Sequence, residues 1–128
     1  MKNLYLFVVI VLLSTSNNLK AQFNCGDNVS YEGKEYTTLQ IGTQCWIGEN
    51  LDVGVMITGT TNPSNNGIIQ KYCYNDNASN CNTYGAIYKW DEAMNYSVAE
   101  GAQGICPVGW HIPSDYEFYV LEDRKSVV

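Results

Sequence analysis

Trp110-His111-Ile112-Pro113-Ser114-Asp115-Tyr116-Glu117 is the clearest local signal in the chain. Ser114 and Glu117 have capping-box spacing: the Ser side chain takes the amide three residues on, and the Glu side chain reaches back. Pro113 blocks extension of the helix upstream. Asp115 and Glu117 suit the positive end of a helix dipole, and Arg124-Lys125 the negative end. The stretch predicts a helix from Asp115 to about Asp123, with Phe118, Leu121 and Val128 as its buried stripe. A capping box explains where a helix starts and implies no chemistry.

Upstream, Ile87, Trp90 and Met94 fall at i, i+3 and i+7, with Asp91 and Glu92 off that face. This predicts an amphipathic helix of about three turns over Ala86 to Asn95. Residues 52–83 are rich in turn chemistry, with room for one short strand within Ile68 to Tyr74. The polar run Asn75 to Asn82 reads as non-helical, because Asn and Ser prefer local side-chain bonds to a helix interior. Further upstream, Glu32-Gly33-Lys34 and Gly42-Thr43 are turns between runs rich in β-branched and aromatic residues. Strands are expected near 29–31, 36–41 and 44–47. The fold class is therefore α+β, with an N-terminal β-meander, a loop-rich middle and two short helices.

The 128 residues allow one small domain. Seven Lys+Arg against 13 Asp+Glu argue against a nucleic-acid partner, which calls for a basic surface. Ten Tyr, three Trp and three Phe are too many aromatics for a disordered acidic tail.

The chain opens on Met1-Lys2-Asn3, an unbroken apolar run from Leu4 to Leu13, a polar stretch, and Ala21-Gln22. That is the pattern of a secretory signal peptide over residues 1–21. The apolar run covers about 15 Å as a helix, about half a hydrocarbon core, so no transmembrane helix is expected in the mature chain. Cleavage removes Lys2 and Lys20 and no acid, leaving residues 22–128 more negative than the −6 of the whole. The expected location is secreted, extracellular or on the outer cell surface.

All five cysteines lie beyond the cut, in an oxidising compartment where disulfides are the first reading. Cys73 and Cys81 bracket the Asn-rich loop, and Cys25 and Cys45 would join the N-terminus to a hairpin strand. Cys106 is left over. No Cys-x-x-Cys is present for redox catalysis, and one His gives no zinc spacing.

The remaining candidates for chemistry are sparse. The Asn75–Asn80 loop offers calcium a single carboxylate, Asp76, and reads as solvated. His111 has no nucleophile or acid signalled nearby and reads as packing or capping. Asp91 and Glu92 point apart on a helix. The aromatics Tyr72, Tyr74, Tyr84, Tyr88, Trp90, Tyr96 and Trp110 are either core or a carbohydrate-stacking platform, with Tyr72, Tyr74 and Trp110 the candidate binding surface. Three sequons, at Asn28, Asn77 and Asn95, matter only in a eukaryotic secretory pathway.

Four blocks in order carry a resemblance: Gly33 to Leu51, Tyr72 to Asp76, Tyr84 to Trp90 with Ala93-Met94, and Gly104 to Asp115 with Glu117-Phe118. Together they resemble the Fibrobacter succinogenes major paralogous domain of secreted and surface proteins in Bacteroidetes and Fibrobacter relatives. The resemblance implies a C-type-lectin-like α+β fold, an extracellular module, no enzymatic activity and no cofactor. Its last block is similar to one in formylglycine-generating enzymes, whose catalytic cysteines have no matching positions here. A glycan or a surface protein is the implied partner, on fold analogy. Members of this family continue past the Trp-His-x-Pro-Ser-Asp helix to a final strand carrying Arg-Cys. The chain therefore reads as the N-terminal portion of one domain, with a lost partner for Cys106 and an unpaired edge near Val29–Tyr31. The alternatives are a secreted enzyme acting on glycans, which calls for paired carboxylates about 5–9 Å apart, and a non-functional gene fragment.

Overall fold

The computed structural model of the chain describes residues 23–125, so the expected signal peptide over 1–21 and the expected place of Val128 in the helix stripe lie outside the described residues. Four short strands come first: β1 (Val29–Tyr31), β2 (Lys34–Tyr36), β3 (Thr38–Ile41) and β4 (Gln44–Ile47). They form two separate antiparallel hairpins. Glu32 and Gly33 both have positive φ, 49° and 78°, as a two-residue type I′ hairpin turn requires. The strand expected over 36–41 is interrupted at Thr37, so consecutive hairpins replace a continuous meander. Thr37 turns to the second hairpin, its amide donating to the Glu49 carboxylate (3.4 Å) and its carbonyl accepting from the Gly48 amide (2.9 Å). The buried Thr38 hydroxyl donates to the Asp27 carbonyl (2.7 Å) and accepts from the Gly26 amide (2.9 Å).

The middle holds a two-residue parallel pair, β5 (Val55–Met56) with β6 (Gln70–Lys71). A 3-10 turn over Tyr74–Asp76 follows, then α1 (Ala78–Tyr84), α2 (Trp90–Ala93) and α3 (Asp115–Lys125). α1 corrects the non-helical reading of Asn75 to Asn82. The Asn77 side chain makes its local bond as a helix cap, accepting from the Ser79 amide at 3.0 Å. Gly85 ends the helix at φ 76° and donates to the Cys81 carbonyl. A Cβ on Gly85 would lie 2.6 Å from the Asn50 carbonyl oxygen, so only glycine fits.

α2 is a single turn, where the periodicity predicts about three. Asn95 and Tyr96 turn the chain with positive φ directly after it. Met94 is buried as expected, but Ile87 and Trp90 are exposed, while Glu92 is buried. The reason is polar: Glu92 accepts from the Gln70 amide (2.7 Å) and from the Tyr96 hydroxyl (2.9 Å). That pair of bonds turns the acid inward and ties α2 to β6. α3 runs from Asp115 as predicted. Its expected stripe is only partly covered, with Leu121 half-buried and Phe118 exposed but near the Trp46 ring.

The core is small and latched by phenols. Tyr36 and Val53 are the largest fully buried side chains. The Tyr36 hydroxyl accepts from the Asp52 amide (3.0 Å), and the Tyr88 hydroxyl bonds both the amide and the carbonyl of Val53 (2.8 Å each). Tyr31 donates to the Ile105 carbonyl at 3.0 Å. Lys71 and Asp52 form a largely covered ion pair beside this core.

Candidate binding surfaces

The structure places Cys25 and Cys45 in one disulfide and Cys73 and Cys81 in another. The first fastens the N-terminal segment to β4. The second clamps the segment that carries Tyr74 to α1. Cys106 is free and buried, and burial pushes its thiol up to about 11, which leaves little reactive thiolate.

Two surfaces hold the candidate aromatics, and the structure keeps them apart. The first is a cleft of about 660 Å³ between β4 and the segment before α3. Trp110 lines it together with Trp46, Leu51, Ile112 and the free Cys106. Trp110 meets Phe23 edge-on, with ring centroids 5.5 Å apart. His111, read as a packing or capping residue, pairs with Glu117 at 3.0 Å. Glu117 also accepts from the Ser114 amide (2.8 Å) and hydroxyl (2.9 Å), and the Glu117 amide reaches back to that hydroxyl (3.3 Å). The Ser114 amide, with His111 beside it, holds the Glu117 carboxyl below the usual carboxylate range.

The second surface is a shelf around Tyr72 and Tyr74. Tyr72 is half-buried and committed to structure, since its hydroxyl donates to the Thr61 carbonyl (2.7 Å) and its backbone bridges Ile87. Tyr74 is exposed and stands between two depressions. One, of about 610 Å³, also has Gly59, Asp76 and Lys89 in its wall. The other, of about 360 Å³, has Asn50 and Tyr84. Ile87 lines both. Asp76, the one carboxylate of the Asn-rich loop, accepts from the Gly59 amide at 2.7 Å. Tyr88 and Tyr96, two further platform candidates, bond instead to Val53 and Glu92.

Sequence reasoning missed Ile87 and Asn50 as part of this shelf. Helical periodicity assigned Ile87 to a buried stripe. Asn50 is brought close by a long-range bond, from its Nδ2 to the Tyr84 carbonyl (2.9 Å), which no local pattern signals. Among the described residues, no three His, Cys, Asp or Glu side chains converge as a metal-ligand group.

A family model described as the Fibrobacter succinogenes major domain matches residues 39–127. The chain belongs to that family. The match of the Fibrobacter succinogenes major domain begins within β3 and extends beyond α3, so it covers the whole shelf and all of the cleft except Phe23. No curated protein and no solved structure matches the chain, and the C-type-lectin-like expectation stands on the resemblance alone. No helix among the described residues is long and apolar enough to cross a membrane. Two disulfides are compatible with an extracellular location.

Proposed function

We propose that this Fibrobacter succinogenes major domain is exported through its N-terminal segment and acts as a non-catalytic binding or adhesion module at the cell surface or outside the cell. One observation supports the reading: the single His, three of the carboxylates nearest the core and the cleft, and the free cysteine are each tied into the frame by a structural bond or by burial. His111 is held by Glu117, Glu117 by Ser114, Glu92 by Gln70 and Tyr96, and Asp52 by Lys71. Cys106 is buried with a raised pKa. None of these groups lines the shelf around Tyr72 and Tyr74. Exposed aromatics on a disulfide-clamped frame suit recognition. A lectin-like scaffold would suit it too, by analogy of fold.

The test is expression of the full-length chain with a C-terminal tag in a secreting bacterium. The expected result is a chain cut near Gln22, found outside the cytoplasm, that adheres to intact cells or cell-wall material and releases no chromophore from aryl glycosides. An uncut cytoplasmic chain, or glycoside turnover abolished by one carboxylate substitution, would overturn the proposal.

A further inference from the structure

We infer that the shelf of Tyr74, Tyr84 and Ile87 binds a neutral oligosaccharide. The inference rests on the reading of the chain as a binding module and adds the chemical class of its ligand. Tyr74 is 59% exposed, Tyr84 62% and Ile87 54%, and unlike singly scattered surface residues all three line adjoining depressions. None is a loose surface residue. Tyr74 directly follows the disulfide-bonded Cys73, and its carbonyl accepts from the Asn80 side chain at 2.7 Å. Tyr84 closes α1, and its carbonyl accepts from Asn50. Ile87 is bridged to Tyr72 through both backbone bonds, 2.9 Å and 3.0 Å. The three groups are held outward on fixed backbone, so ligand binding has little ordering entropy left to offset.

The surroundings decide the ligand class. A sugar ring has an apolar C–H face and an edge of hydroxyls. Tyrosine offers a rigid apolar ring with a polar tip, which matches the first. Asp76, Lys89 and Asn50 at the rim match the second. The Asp76 carboxylate is oriented by its bond from Gly59 and keeps further lone pairs, and Lys89, bonded to Asn62, has donors to spare. A polyanion is disfavoured, because 13 acids outnumber seven bases and Lys34 and Lys71 are already paired with Glu49 and Asp52. Both depressions fall in the range of small-ligand sites, about 300–1,000 Å³. Tyr74 and Ile87 are shared between them, so a chain of two or more sugar units spans the shelf and a single unit fills one side.

The test uses the full chain with its disulfides intact and four neutral probes: cellohexaose, xylohexaose, mannohexaose and laminarihexaose. Polygalacturonate serves as the anionic comparator. At least one neutral probe should bind. Tyr74→Ala and Tyr84→Ala should each weaken it by about tenfold or more. Tyr74→Phe, which keeps the ring, should retain binding, and so should Tyr119→Ala, an equally exposed tyrosine on α3. Circular dichroism of each variant checks that the fold is kept. The inference is overturned if no neutral probe binds, if polygalacturonate binds better, or if the two alanine variants bind like the parent chain. If no sugar binds but the exported chain still adheres to cells, the sugar assignment fails and the module reading stands. If it also fails to adhere, both fall.

Discussion

Glu117 shows how one carboxylate organises a helix start. It accepts from the amide and hydroxyl of Ser114 and pairs with His111, while its own amide donates back to Ser114. Ser114→Ala removes the cap and should cost about 1 kcal/mol in urea unfolding. The pH dependence has a definite sign. The folded carboxyl titrates below its ordinary value of 4.5, so the bonds favour the ionised form. Their contribution is complete above the unfolded value and is lost as pH falls through the folded one. The gap in stability between the parent chain and Glu117→Ala should be widest near neutrality and close as pH falls below the ordinary carboxyl value. A gap that stays constant across that range would contradict the assignment. Cys106 gives a second test at this scale. With its thiol pushed up to about 11 and buried, it should react slowly with a disulfide reagent in the native chain. Denaturant should then release a single titratable thiol per chain, since the other four cysteines are bonded.

α1 depends on its surroundings more than on its own sequence. Ala78–Tyr84 is seven residues, far below the length at which an isolated helix persists in water. Asn77 caps it, Gly85 ends it, and the bond from Cys81 to Cys73 fixes it to the shelf. Replacing both cysteines by alanine should cost about 2–3 kcal/mol by the loop-entropy estimate. It should also melt α1 before the hairpins, seen as early loss of amide protection over 78–84. Equal protection with and without the bond would refute this. The same element shows where sequence reading stops. The turns at Glu32-Gly33 and Gly42-Thr43 and the strands β1 and β4 were legible, because turn residues and β-branched runs are local signals, but the break at Thr37 was not; α3 was legible because a capping box is contained in four residues. α1 was not: Asn and Ser disfavour helix interiors, and the deciding factor was a covalent bond to a residue before the loop. α2 is shorter than its periodicity predicts for a related reason. Its apolar spacing fits a helix, but the bonds that the Glu92 carboxylate accepts from Gln70 and Tyr96 go with a helix of one turn. For the shelf, composition already pointed to aromatics. Which tyrosines are drawn inward follows their hydroxyl partners, and those of Tyr31, Tyr36 and Tyr88 are long-range.

Across the described residues, phenols take the place of an extensive aliphatic core. Tyr36 bonds to Asp52, Tyr88 to Val53 and Tyr31 to Ile105, joining segments far apart in sequence. Tyr88 matters most, since its hydroxyl satisfies both backbone groups of Val53, a residue only 1% exposed. Tyr88→Phe leaves those groups unpaired and should cost about 1–3 kcal/mol. Desolvation by burial pushes the Tyr88 phenol well above its ordinary value of 10.0, and Tyr31 is raised in the same direction, also by burial first. The fold thus favours the neutral phenol. Its contribution is complete below the unfolded value and is lost as pH rises toward the folded one, because the unfolded chain releases protons first. The chain should therefore unfold in alkali. Part of the phenolate absorbance should appear in a cooperative step that coincides with loss of circular dichroism. In Tyr88→Phe, lower stability at pH 7 should be joined by a shallower fall above 10, because the group that drives the alkaline slope is gone. An alkaline slope unchanged by Tyr88→Phe would show that the latch does not hold this core.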